Sequence, residues 1–284
     1  MIRLFAVIIV LLPRLVWASD GSCERIVSLA PSVTEVLYDV DLGERVVGVT
    51  RYCRYPEAAQ KLPKIGGFYD MSVESIVALK PTLVVALAEH ESVRRSLENL
   101  GVSTLAVDHT TPKGIKESFQ KLGARCGVET EAAARVEALE RREAALRFAD
   151  RVVPPLRALV VVGRANEGSP TSSIYVSGND GFYSGILELL GVLNVNNDAT
   201  MTLPTLSPEG LLALKPDVIL EVVGKDDPAV TTDRKQLWAR YPQLPAVRNN
   251  RILVLDTDYA TIPGPRYVQL AEDVHAMLRG TGAR

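Results

Sequence analysis

The chain has no run of lysine and arginine and no basic stripe, and its formal charge is −2. A phosphate backbone has nothing to dock on, so nucleic acid is excluded as a partner. There is no Gly-x-x-x-x-Gly-Lys loop, no Gly-x-Gly-x-x-Gly turn and no Gly-x-Ser-x-Gly elbow. Histidine is scarce, with three in the chain. One of them, His275, falls on the terminal helix, which leaves little for acid–base chemistry. Asp256 and Asp258 flank a strand end, but paired acids in a loop are ordinarily solvated. An enzyme built on two α/β lobes is therefore a remote alternative, and no catalytic residue and no resident cofactor are expected. Low-complexity segments are absent, and so is a second apolar run long enough to cross a bilayer.

What is present is a duplication. MSVESIVALKPTLVV (Met71–Val85) and LSPEGLLALKPDVIL (Leu206–Leu220) match in register, 135 positions apart. In each, a serine (Ser72, Ser207) is placed to cap a helix, and Pro208 occupies a first helical position where a missing N–H costs nothing. Lys-Pro ends the helix, because the residue before proline is disfavoured in the helical region. An apolar, β-rich run follows (Leu83–Leu87, Val218–Val223), of the kind buried in a parallel sheet. Two copies of a helix–strand unit so far apart imply two similar lobes with a cleft between them.

Residues 1–18 read as a signal peptide. Arg3 precedes the apolar stretch Leu4–Leu12, and Ala18 offers a small residue for cleavage before Ser19. Asp20-Gly21-Ser22 lacks the apolar residue that lipid attachment at Cys23 needs, so a soluble, periplasmic mature chain is expected. Three cysteines in an exported protein invite one bridge. Cys23 precedes the first strand and Cys126 follows the helix after Thr104–Val107, at the same end of a strand–helix sheet. That placement favours Cys23–Cys126, although connectivity is not fixed by spacing alone. Cys53 is then left over, ordinarily as a small buried hydrophobe.

Strands alternate with helices from Arg25 to Cys126 and again from Leu156, pointing to mainly parallel sheets covered on both faces. Between them, residues 129–153 are rich in Ala, Glu, Arg and Leu, with Pro154-Pro155 as a stop. Val136, Leu139 and Leu146 form an apolar stripe, and Glu131–Arg135, Glu137–Arg141 and Glu143–Arg147 are spaced as i,i+4 ion pairs. One long connecting helix is expected, with an N-terminal lobe over 19–128 and a C-terminal lobe over 154–284.

RIVSLAPSVTE (Arg25–Glu35), GVTRYCRYP (Gly48–Pro56), KIGGFYDMSVESIVALKP (Lys64–Pro81), YVSGNDGF…LELLGVLNV (Tyr175–Val195) and PGPR (Pro263–Arg266) occur in the order of one known family. The chain resembles the periplasmic cobalamin-, haem- and ferric-siderophore-binding components of ABC importers, and is most similar to the cobalamin branch. That resemblance implies a class III periplasmic-binding-protein-like fold with a ligand held between the lobes. It also implies delivery, by a monomer, to an inner-membrane permease and its ATPase. Cobalamin is the implied cargo, with haem or a ferric siderophore as the alternative.

A flat ring needs aromatic surface for its faces and a few polar groups for its rim. By resemblance, Tyr52, Phe68, Tyr175 and Tyr259 are the aromatics expected at the ligand, and Arg266 is the rim donor. Leu87 and Leu203 stand where cobalamin binders carry tryptophans. No metal site is expected. If a metallated ring is bound, His90 and His109, both following buried strands, are the residues placed for its axial position. Glu74 and Glu209 lie in the first turns of the duplicated helices. There the helix dipole favours a carboxylate by roughly 0.3–1 kcal/mol, and the resemblance makes them docking contacts for permease arginines.

Overall fold

The computed structural model describes residues 23–147, 155–164, 173–178, 181–196, 203–224 and 234–281. The leader, the far end of the connecting helix expected to reach 153, and Pro154 lie outside them.

In the first lobe the elements run β1 (Ile26–Ser28), α1 (Pro31–Asp39), β2 (Val46–Val49), α2 (Glu57–Gln60), α3 (Val73–Ala78), β3 (Leu83–Leu87), α4 (Glu91–Asn99), β4 (Thr104–Val107) and α5 (Pro112–Cys126). Helix α6 (Glu129–Arg147) follows. The second lobe has β5 (Arg157–Arg164), β6 (Ile174–Val176), α7 (Phe182–Leu189), β7 (Leu193–Asn194), β8 (Thr205–Leu206), α8 (Pro208–Leu214) and β9 (Val218–Val222). It continues through α9 (Arg234–Trp238), α10 (Pro245–Arg248), β10 (Ile252–Leu255) and α11 (Tyr267–Gly280).

Two separate sheets result. The first is wholly parallel in the order β2-β1-β3-β4. The second runs β10-β9-β5-β6-β8, with β7 alongside β5. Its core strands β5, β9 and β10 are parallel, but β6 pairs antiparallel with both β5 and β8. The sheets are mainly parallel, as expected, with the antiparallel pairings confined to one edge. Strands β6 and β8 are only three and two residues long, too short to show a period.

Period-two alternation sorts the strand residues into cores. Ile26, Leu83, Val85, Ala158, Val160, Val218, Leu220, Leu253 and Leu255 point inward to one apolar core that continues through both lobes. Their neighbours Val27, Val84 and Ala86 face a separate cluster with Ile76 of α3 and Leu97 of α4. Leu159, Val161 and Ile219 do the same under Trp238 and Leu211.

The duplicated unit folds alike in both lobes. Ser72 Oγ accepts from Ser75 N at 3.0 Å, and Ser207 Oγ from Gly210 N at 3.2 Å. Lys80 and Lys215 leave the helix in the left-handed region, φ 47° and 48°, rather than in the extended region expected before proline.

Helix α6, about 28 Å long at 1.5 Å per residue, buries Val136, Leu139 and Leu146 as expected. One of its expected ion pairs is replaced, and that of Glu143 with Arg147 falls on a side chain outside those described. Arg135 reaches Asp39 of α1 at 2.7 Å instead of Glu131. Glu143 is 4% exposed, accepting from Lys116 of α5 at 2.8 Å and from Tyr267 of α11 at 2.6 Å. Position 143 lies on the same face as 136, 139 and 146, so its carboxylate is carried into the interior and must be satisfied there. Glu137–Arg141 forms as spaced. Arg142 binds Glu272 of α11 through two bonds of 2.8 and 2.6 Å. The rod is tied to both lobes.

Cys23 and Cys126 are joined as a disulfide enclosing the whole first sheet, and Cys53 is buried and free. Among the described residues no helix is long and apolar enough to cross a membrane.

Candidate functional site

Segments following the strand carboxyl ends of the two lobes meet. After β1 comes α1, whose residues Ser32 to Leu37 are all buried. A glutamate in such a helix needs a partner, and Glu35 finds it 231 positions away. Arg266, at the N-terminus of α11, donates from Nη2 to Glu35 Oε1 at 2.6 Å and from Nε to Oε2 at 3.1 Å. Its Nη1 donates to Asp258 at 2.9 Å. The guanidinium carbon lies 4.1 Å from the Tyr55 ring centre and 5.1 Å from that of Tyr259. Gly264 makes the approach possible, since a Cβ there would sit 3.2 Å from both Glu35 Oε2 and Ser32 Cβ.

In this geometry each Arg266 guanidinium nitrogen donates to one of two carboxylates. Burial works against its charge, yet Glu35 and Asp258 hold its pKa above the ordinary value. Burial pushes Glu35 up to about 7, with Arg266 opposing. Tyr259 is likewise committed, donating to Asp273 and accepting from Gln269 at 3.2 Å.

The other expected aromatics are differently placed. Tyr52 and Tyr175, from opposite lobes, are 49% and 40% exposed. Phe68 is half-buried in the turn after Gly66, with Tyr69 beside it almost wholly in solvent. Gly66 has φ +116°, and a Cβ there would meet Asp70 O at 2.4 Å, so only glycine fits. Gly67 N donates to Asp70 Oδ1 at 3.0 Å, and Arg51 pairs with Asp70 across the turn. Leu87 is half-buried and Leu203 is 52% exposed.

The two histidines part company. His109 is buried with both nitrogens occupied, Nδ1 by Ser32 Oγ at 2.8 Å and Nε2 by Ser118 Oγ at 3.0 Å. Burial lowers its pKa to about 4. His90 is buried too, against Phe68 at 4.6 Å between ring centres. Among the described residues no group of three or more His, Cys, Asp or Glu is arranged to hold a bare metal ion.

Glu74 and Glu209 are both exposed and face their own capping serines. Ser72 Oγ donates to Glu74 at 3.1 Å. The backbone N–H of Glu209 and the Ser207 hydroxyl lower the Glu209 pKa. The same serine–glutamate device therefore stands at the head of one helix in each lobe.

Sequence reasoning missed Glu35 and Tyr55 as partners of Arg266. The available signal was a carboxylate inside an otherwise apolar and small-residue helix start, SLAPSVTEVL.

A family profile described as "Periplasmic binding protein" matches residues 26–259. The chain is 29% identical over 259 residues to an uncharacterized ABC transporter substrate-binding lipoprotein, YvrC, of Bacillus subtilis (strain 168), covering 88% of this chain and 78% of the relative. It is 26% identical over 262 residues to a vitamin B12-binding protein of Pectobacterium atrosepticum, covering 90% and 88%. The apo structure of the periplasmic heme-binding protein RhuT from Roseiflexus sp. RS-1 superposes with a TM-score of 0.75 at 25% identity, covering 91% of this chain and 98% of that one.

Proposed function

We propose that this chain, which belongs to the periplasmic binding protein family, captures a corrinoid between its lobes and hands it to a membrane permease driven by an ATPase. The family is a substrate-binding component of transport rather than an enzyme family. The observation carrying the reading is the pair of solvent-facing tyrosines, Tyr52 and Tyr175, offered by two lobes on one rigid helix. Exposed aromatic rings of this kind suit the faces of a broad flat ligand. Phe68 completes the set from the first lobe. The vitamin B12-binding relative supports the choice of cargo. Haem is the second reading, supported by the haem-binding structural relative.

Calorimetric titration with hydroxocobalamin should give a nanomolar Kd, about −12 kcal/mol, while haemin should keep its protein-free Soret band. A Soret change with no cobalamin heat replaces the corrinoid by haem. Tyr52→Ala and Tyr175→Ala should each weaken the binding about tenfold, the scale of one buried aromatic contact.

Glu74 and Glu209 are proposed as the permease contacts, two fixed charges setting docking register. Reversing both (Glu74→Lys with Glu209→Lys) should cut ligand uptake in cells at least tenfold and leave the purified protein's affinity unchanged. Undiminished uptake with normal binding would reject docking.

A further inference from the structure

His90 closes the turn after β3 and directly precedes α4. It is 6% exposed, and among the described residues neither Nδ1 nor Nε2 has a hydrogen-bond partner. A buried polar group left unpaired costs roughly 1–3 kcal/mol, and such exceptions call for a cause. His109, at the equivalent place after β4, shows the ordinary solution, with a hydroxyl on each nitrogen. Burial, with no neighbouring charge contributing, holds the His90 pKa below its usual value. The ring is therefore neutral at pH 7, with one nitrogen lone pair free.

Phe68 lies edge-to-face against this ring. It belongs to a surface turn whose neighbouring ring, Tyr69, is 95% exposed. The Arg51–Asp70 pair holding that turn is itself mostly in solvent. The imidazole thus sits beneath a side chain of an exposed turn, at the end of the sheet where the proposed cargo enters.

We propose that His90 is an axial ligand for the metal at the centre of a flat tetrapyrrole-type cargo, reached when the Phe68 ring turns aside. This deepens the reading given above and rests on it. One imidazole nitrogen donates its lone pair to form a metal–nitrogen bond, and the water on that metal face leaves. No electron moves, and no proton is released, because the ring enters neutral. A free lone pair in a dry pocket is the form metal ligation requires. The unpaired nitrogens are then the cost, in the ligand-free protein, of a bond made only with cargo.

Two cobalamins separate this step from binding as such. Hydroxocobalamin carries an exchangeable axial water, whereas cyanocobalamin has that face blocked by cyanide. The wild-type protein should shift the visible spectrum of hydroxocobalamin to that of a nitrogen-ligated form and bind it at least tenfold more tightly than cyanocobalamin. His90→Leu should bind both alike, without the shift, and melt no lower than wild type, because an apolar group replaces an unpaired polar one. His90→Ala should regain the shift when imidazole is added. A shift retained in His90→Leu overturns the inference, as does a melting point several degrees lower, which marks a structural imidazole. Cyanocobalamin binding by both proteins keeps the corrinoid reading in either case. If haemin alone binds, an unchanged haem spectrum in His90→Leu overturns the inference. If neither ring binds, both readings fall.

Discussion

Arg266→Ala should lower stability by about 3–5 kcal/mol at pH 8, and by distinctly less at pH 5.5. The substitution strands Glu35, which is 2% exposed and reaches no other cation within salt-bridge distance among the described residues. At pH 8 the wild-type carboxylate is ionised and held by the guanidinium that the variant lacks. At pH 5.5 it carries a proton, since burial has raised its pKa to about 7. Adding Glu35→Leu to Arg266→Ala should recover most of the loss, because two apolar side chains replace a buried pair at little net cost. Denaturant unfolding at the two pH values checks this. A loss under 1 kcal/mol at pH 8 shows that the contact between the lobes is not held by charge.

The same helix carries a compensating titration. Folded protein keeps the Glu35 proton up to about 7, whereas the unfolded chain releases it near 4.5. In that window the folded state binds the extra proton, so this residue's share of stability falls as pH rises. His109, hydrogen-bonded to Ser32 of the same helix, acts in reverse. It stays neutral down to about 4 when folded and takes a proton near 6.5 when unfolded, so its share falls as pH drops. Between about 4.5 and 6.5 the two slopes oppose. Glu35 faces Arg266 and Asp258 from the second lobe and Asp39 on its own helix, while His109 faces Asp108. Glu35→Gln should therefore expose acid sensitivity, with roughly 2 kcal/mol lost from pH 6.5 to 4.5. A pH profile parallel to wild type sinks the compensation.

Replacing both Cys23 and Cys126 by alanine should cost about 4–5 kcal/mol and lower Tm by roughly 10 °C. The bridge spans 103 residues, and a closed loop of that length strongly restricts the unfolded chain. The enclosed segment contains all four strands of the first sheet. Reductant should reproduce the shift in wild type and have no effect on the double variant. A Tm within 2 °C of wild type would remove the bridge from the stability of the fold.

Much of this architecture was legible because its signals are local. The duplicated Ser-x-Glu segment announced two sheets, and both serines do cap their helices. The stripe Val136–Leu139–Leu146 announced the buried face of α6. Glu143 was legible too, since it falls on that face by helical spacing, but an i,i+4 pairing rule read it as exposed. Arg266–Glu35 was not, because no local pattern links residues 231 positions apart. Strand β8 escaped for a different reason: a piece of two residues carries no period. The histidines show the limit most clearly. Both follow buried strands, yet hydroxyls from α1 and α5 claim one and nothing among the described residues claims the other.

The apolar interior that passes unbroken from one half to the other has a thermodynamic corollary. A wide swing of the halves would expose that interior and rupture the Glu143, Arg142 and Arg266 ties together. The receptacle is therefore moulded before anything enters it, and capture sacrifices little chain entropy. Letting go, by the same reasoning, demands force applied from outside the protein.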